Sequence, residues 1–184
     1  MLYTKKGDDG KTKVFGCDQR FSKSSIIAEA LGSIDELDSF LGLIKAKINQ
    51  GQTLNPQKGL TLVDIVHQIQ ENLFIIQAQV AGSPKNITEE KIKELELRID
   101  SIEKEIPPIK SFIIPGANEI SAMFDFARTL ARKTERRVVA VSDEKLINID
   151  TNTLKYLNRL SSFLFALARL SASEKGVAEN HPSY

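Results

Sequence analysis

Five stretches of this chain carry apolar residues three and four positions apart, and that recurrence limits the fold more than any other feature. The first holds Ile27, Leu31, Ile34, Leu37, Leu41, Ile44 and Ile48. The second, roughly 60–82, holds Leu62, Ile65, Val66, Ile69, Leu73, Ile76 and Val80. A third is short and heavily charged, with Ile92, Leu95, Ile99 and Ile102. A fourth gathers Ile120, Met123, Ala127, Leu130, Ala131, Val138 and Val141, and a fifth, about 151–174, has Leu154, Leu157, Leu160, Leu164 and Leu167. Residues at that spacing share one side of a helix, and each such side must be buried against another. No segment alternates convincingly with period two, and no internal repeat is visible. The spacing predicts an all-α fold, an antiparallel bundle of five helices joined by short links.

Local signals divide these runs. Ser24 or Ser25 is placed to cap the first helix, and Asn49-Gln50-Gly51 to end it. Residues 51–59, with Pro56 and Gly59, read as a polar loop. Gly82-Ser83-Pro84 ends the second helix. Thr88-Glu89-Glu90 opens the third with a capping hydroxyl and acids in the first turn, and Pro107-Pro108 breaks it. Residues 143–148 connect the last two helices. The chain is expected to be a single domain over 1–184: an arm at 1–22, a bundle at 23–174 and a loose tail at 175–184.

Charge and composition exclude several functions. The formal charge is +1, so attraction for anions must be local, and a nonspecific nucleic-acid coat is not expected. Cys17 is the only cysteine, which rules out an internal disulfide and fits a reducing compartment. His67 and His181 are the only histidines, and neither sits in a metal-ligand spacing of the di-iron or zinc kind. There is no Ser-His-Asp signature. The first residues lack the apolar run of a secretory signal, and no stretch approaches the ~20 apolar residues that span a bilayer. The expectation is a soluble cytoplasmic protein that engages neither nucleic acid nor membrane.

Cations concentrate on the fourth helix. Arg128, Arg132, Lys133, Arg136 and Arg137 lie within ten residues. At 100° per residue, Arg128, Arg132 and Glu135 fall within an arc of about 60°. Guanidinium forks match phosphate oxygens in shape and charge, so the stripe suits a polyphosphate. A solvated helix face carrying weak ion pairs is the plainer alternative. Asp35 on the first helix is either a partner for one of these arginines or one more exposed acid. Near the N-terminus, Gly7-Asp8-Asp9-Gly10-Lys11-Thr12 is turn chemistry among Lys5, Lys6 and Lys13. It is not a P-loop, because Lys5 stands where that motif needs glycine. It is either a flexible charged arm or a phosphate cradle of backbone N–H groups. Asn158, in a leucine-rich helix, serves either helix pairing or nucleotide binding.

Taken together, the blocks resemble one family. Residues 3–12 (YTKKGDDGKT), 32–37 (GSIDEL), 112–116 (FIIPG), 127–139 and 157–161 (LNRLS) resemble, in order and spacing, the PduO-type ATP:cob(I)alamin adenosyltransferases. The resemblance implies a ferritin-like five-helix bundle, assembled as a homotrimer with active sites between subunits. It implies transfer of the 5′-deoxyadenosyl group of ATP to the cobalt of cob(I)alamin or another reduced corrinoid, with Mg2+ accompanying ATP and triphosphate released. By position, Thr4, Lys5, Lys6, Gly7, Asp8, Gly10, Thr12, Lys13 and Lys23 would wrap the nucleotide. Arg128, Arg132, Glu135, Arg136 and Asn158 would complete its site, with Asp35 paired to Arg128. Phe112 would lie under the corrin and displace its lower ligand. Direct magnesium ligands are not indicated. An electron-supplying reductase and an adenosylcobalamin-dependent acceptor enzyme are the expected partners. Two rival functions fit the same bundle: a noncatalytic ATP or corrinoid sensor or carrier, and a helical interaction module with a basic stripe.

Overall fold

In a computed structural model that describes residues 3–13, 20–48, 53–55 and 60–184, the five apolar runs form five helices. These are α1 (Ile26–Lys47), α2 (Leu62–Val80), α3 (Glu89–Glu105), α4 (Glu119–Asp143) and α5 (Thr151–Glu174). Side-chain bridges fix their directions. Glu36 with Lys133 and Glu29 with Arg137 run α1 against α4. Arg128 over the Phe165 ring and Asn158 on Glu135 run α4 against α5. Glu89 with Lys155 and Glu96 with Arg159 set α3 parallel to α5. The bundle therefore runs up-down-up-down-up, and α4 lies between α1 and α5.

The expected apolar positions form one core. Ile34, Leu37, Leu41 and Ile44 of α1 meet the α2 stripe, Ile92, Leu95 and Ile102 of α3, and Leu157, Leu160, Leu164 and Leu167 of α5. Tyr156, Phe124 and Phe163 are the largest side chains fully enclosed. Each fully buried aliphatic or Phe side chain contributes roughly 1.5–3 kcal/mol, which is why the apolar spacing decides the fold.

The helix starts follow cap chemistry. Ser25 accepts from the Ala28 N–H, and Thr61 and Asp64 form a reciprocal capping box. Thr88 occupies the cap position of α3, yet its hydroxyl makes no capping bond. The Glu90 N–H and then the Thr88 hydroxyl hold the Glu90 carboxyl in that first turn below its ordinary value. The stop signal at 49–51, the loop residues Pro56 and Gly59, and Cys17 lie outside the described residues.

Two expectations are corrected. Strands do occur: β1 (Lys11–Thr12) pairs antiparallel with β2 (Phe21–Ser22), and β3 (Thr53–Asn55) with β4 (Leu60–Thr61). Runs of two or three residues are too short to show alternation in a sequence. The tail does not hang free. The Ile114 N–H donates to the Asn180 carbonyl at 2.8 Å, and Glu179 takes two hydrogen bonds from buried Arg169 at 2.6 and 3.0 Å. Glycine and proline after α5 signalled the end of a helix, and a backbone bridge to a segment 66 residues earlier leaves no mark in the sequence.

Candidate active site

The arm folds back on the start of α1. Lys5 and Gly10 take left-handed backbone conformations, with φ of 58° and 74°. Arg20 holds the resulting turn. Its guanidinium grips both Asp9 carboxylate oxygens, at 3.0 and 2.8 Å, and also donates to the carbonyls of Lys6 and Lys11. The Lys11 N–H and then Arg20 hold the Asp9 carboxyl below its ordinary value. Lys23 donates to the Gly7 carbonyl at 2.8 Å. A Cβ at Gly7 would come within 3.0 Å of that ammonium, so a larger residue there would push the Lys23 side chain aside.

The turn walls a cleft of ≈ 530 Å³ lined by Thr4, Lys6, Gly7, Lys11, Thr12, Lys13, Arg20 and Lys23. Five of these eight side chains are cations. The cleft thus joins Thr4, Lys6, Gly7, Thr12, Lys13 and Lys23 of the expected set. Lys5, Asp8 and Gly10 belong to the same turn but do not line it. Arg20 was not expected at the site, and Lys11 was expected only as one of the lysines beside the glycine turn. Lys11 sits inside the glycine turn, where its charge was a visible signal. Arg20 works through the Asp9 carboxylate, 11 residues away, and through two backbone carbonyls, a combination no local side-chain pattern reveals.

The α4 stripe faces elsewhere. Arg128 lies 5.9 Å from the Phe165 ring centre, and its Nε is 3.6 Å from Asp125. Burial pushes the Asp125 carboxyl up, and Arg128 opposes that. One and two turns further along, Arg132 and Arg136 are exposed and make no hydrogen bond or ion pair. Beside them the Asn158 amide donates to Glu135 at 2.9 Å, and Arg159 donates to Asn158 in turn. Lys133 and Arg137 point the other way, onto Glu36 and Glu29 of α1. The expected Asp35–Arg128 pair is absent within one chain. Arg128 leans toward α5, whereas Asp35 is an exposed residue of α1 without a partner.

Phe112 stands on the link before α4 with 79% of its surface exposed. Its neighbours Ile109 and Ile114 and the tail's Val177 are also exposed, which gives that end an apolar rim. Among the described residues, no group of three or more His, Cys, Asp or Glu is placed to hold a metal ion, and no helix is long and apolar enough to cross a membrane.

A family model described as cobalamin adenosyltransferase matches residues 2–171. The chain belongs to the cobalamin adenosyltransferase family. It is 37% identical over 178 residues to a corrinoid adenosyltransferase of Bacillus subtilis (strain 168), covering 97% of this chain and 90% of that one. It is also 37% identical over 190 residues to the corrinoid adenosyltransferase PduO of Citrobacter freundii. All of this chain aligns there, with 51% of that relative. Its fold matches, with a TM-score of 0.89, 28% identity and full coverage of both chains, a variant PduO-type ATP:corrinoid adenosyltransferase from Lactobacillus reuteri complexed with cobalamin and ATP.

Proposed function

We propose that this chain transfers the 5′-deoxyadenosyl group of ATP to the cobalt of a reduced corrinoid, releasing triphosphate. The observation that carries the assignment of residues is the open pair Arg132 and Arg136, exposed and unpaired while their neighbours Lys133 and Arg137 are engaged. Two forks along one helix, flanked by Arg128, make a receptor for phosphate oxygens. The Glu135–Asn158 pair beside them offers a carboxylate and an amide for the nucleoside.

The reaction is a displacement at C5′. A cobalt–carbon bond forms, the C5′–O bond breaks, and the triphosphate leaves with the bonding electrons. Cobalt(I) is already a strong nucleophile, so no general base is needed. The chain's work is to hold C5′ in line with the metal and to stabilise the charge on the leaving group. Arg128, Arg132, Arg136 and the cleft cations supply that charge. Phe112 has a different task. An apolar ring against the lower face of the corrin keeps an axial ligand away, which makes cobalt(II) easier to reduce.

Magnesium fits here only as part of the nucleotide. The cleft is lined by cations, and the carboxylates on the stripe's helix are engaged, Glu135 by Asn158 and Asp125 by Arg128. Mg2+ bound to the phosphates, with water completing its shell, would neutralise part of their charge.

Two copies would build each site. The arm lies at the start of α1, and the Phe112 link enters α4 at the opposite end of the bundle. A helix the length of α1, 22 residues, separates those ends by about 30 Å. C5′ and cobalt must come within bonding distance, so one chain's arm would serve a neighbour's Phe112; no α4 residue lines the arm's cleft, so that neighbour's arginines would join it there. The exposed Asp35 would then be free to meet a neighbour's Arg128. A closed ring of three copies satisfies this head-to-tail arrangement. The reaction sequence also requires a one-electron donor to cobalt(II) before transfer and an acceptor for the adenosylated product, both in the cytoplasm.

The deciding experiment mixes the protein with ATP, magnesium and chemically reduced cobalamin. The spectrum should change to that of the adenosylated form, with one triphosphate released per cobalamin. Binding of both ligands without triphosphate would instead mark a sensor or carrier. Absence of saturable ATP binding would mark an interaction module.

A further inference from the structure

The last residues of the chain are stitched to the segment that carries Phe112. Three ties hold them. Arg169, only 6% exposed, donates to both Glu179 carboxylate oxygens and to the Pro107 carbonyl at 2.7 Å. The Ile114 N–H donates to the Asn180 carbonyl at 2.8 Å. The Nδ1 of His181 lies 2.9 Å from the Phe112 carbonyl and 2.9 Å from the Ser111 hydroxyl. So one buried guanidinium clamps the root of the link and the root of the tail. Two successive tail residues then grip the backbone just after the Phe112 ring, at the Phe112 carbonyl and at the Ile114 N–H.

That grip answers a physical problem. A phenylalanine side chain left 79% exposed gains by folding down onto nearby apolar surface. Ile109, Ile114 and Val177 supply such surface at the same end. The link from 106 to 118 contains no helix or named strand of its own to resist collapse. Gly116, at φ 107°, adds a turn that only glycine takes easily. The tail's hydrogen bonds fall on the backbone at 112–114, the stretch that carries the ring.

We infer that residues 179–181 are a positioning strap for the corrinoid side of the reaction: anchored on Arg169, they hold the Phe112 backbone so that its ring projects toward the corrin. His181 and Asn180 are positioning residues, not catalytic ones. The inference rests on the assignment of Phe112 to the corrinoid given above.

The test removes residues 180–184, which leaves Glu179 to neutralise buried Arg169 and so preserves the fold. A second variant, His181→Ala, removes one tie at an exposed position. Each is compared with Phe112→Ala in two assays, one starting from cobalt(II) with a reductant and one from pre-reduced cobalt(I). The trimmed protein should lose about tenfold or more in the first assay, because small misplacements of a positioning group are costly. It should keep its rate in the second assay and its ATP affinity. The Ile114 amide should exchange faster with deuterium. Trimming a Phe112→Ala protein should add no further loss, since the strap acts through that ring. Full cobalt(II) activity in the trimmed protein, with Phe112→Ala impaired, overturns the strap alone. Phe112→Ala without effect overturns the strap together with the assignment beneath it. Equal losses in both assays also overturn it, because presenting the ring matters only for reduction.

Discussion

On α4, neighbouring cations are sorted by which side of the helix they occupy. Lys133 and Arg137 are spent on α1 acids, Arg128 leans on Phe165 and Asp125, and Arg132 stays open. Arg132→Lys keeps the charge and loses the planar fork. If a bidentate phosphate contact adds ~1.5–3 kcal/mol in the transition state, kcat should fall about tenfold or more. Steady-state kinetics on the purified variant would decide it, and an unchanged kcat would remove Arg132 from the site. A residue outside the site gives a pH signature instead. Burial raises the Asp38 carboxyl above its ordinary 3.8, and Asp35 adds to this while Gln70 and Lys45 oppose it. One of its oxygens is buried without a hydrogen bond. A raised value means that the folded state binds the proton more tightly than the unfolded one. The penalty for carrying the charge is therefore absent below pH 3.8 and complete once pH exceeds the folded value. Asp38→Asn should thus melt above the unaltered protein at pH 7, and the gain should vanish on acidification toward 3.8. A gain that is the same at both ends of that range would contradict the burial argument.

Between elements, polar side chains join helices that the core alone would leave free to slide. Asn72 of α2 donates to the hydroxyl of buried Tyr156 on α5 at 3.0 Å and accepts from Lys91 of α3 at 2.6 Å. One asparagine therefore links three helices. Burial pushes the Tyr156 phenol up to about 12, so it stays neutral over any working range. Tyr156→Phe keeps the ring and strands the Asn72 donor, which should cost about 1–3 kcal/mol in urea unfolding. An unchanged midpoint would mean that solvent reaches Asn72. The helices themselves were legible because burial selects apolar residues at helical spacing, as Leu62 through Val80 show. Arg98 on Gln68 and the tail on Ile114 were not legible. Each depends on which helices become neighbours, which one chain's periodicity does not encode. The same limit applies to the site. The stripe and the glycine turn announced themselves by charge and by backbone freedom, while Arg20 and Asp125 became visible only once folding had brought loop and helix around them.

At the scale of the whole molecule, the geometry separates two things that the reaction must unite. The cleft cations cluster near Lys23 at one end, Phe112 projects at the other, and no α4 residue lines the cleft. If each site takes its arm from one copy and its arginines from the next, damage to either part can be rescued in trans. Lys23→Ala should disable the arm and Arg132→Ala the helix, and each homogeneous protein should be nearly inactive. When the two are co-expressed in equal amounts and assemble at random, half of all arms and half of all helix faces are intact. About a quarter of the sites then join two intact parts, and activity should recover to about that fraction of the unaltered level. A site built within one chain would recover nothing, because every chain in the mixture carries a lesion in its own site. Activity no higher than the sum of the separate variants, in assemblies shown by mass to contain both chains, would therefore place the arm and the arginines in one subunit and refute the shared site.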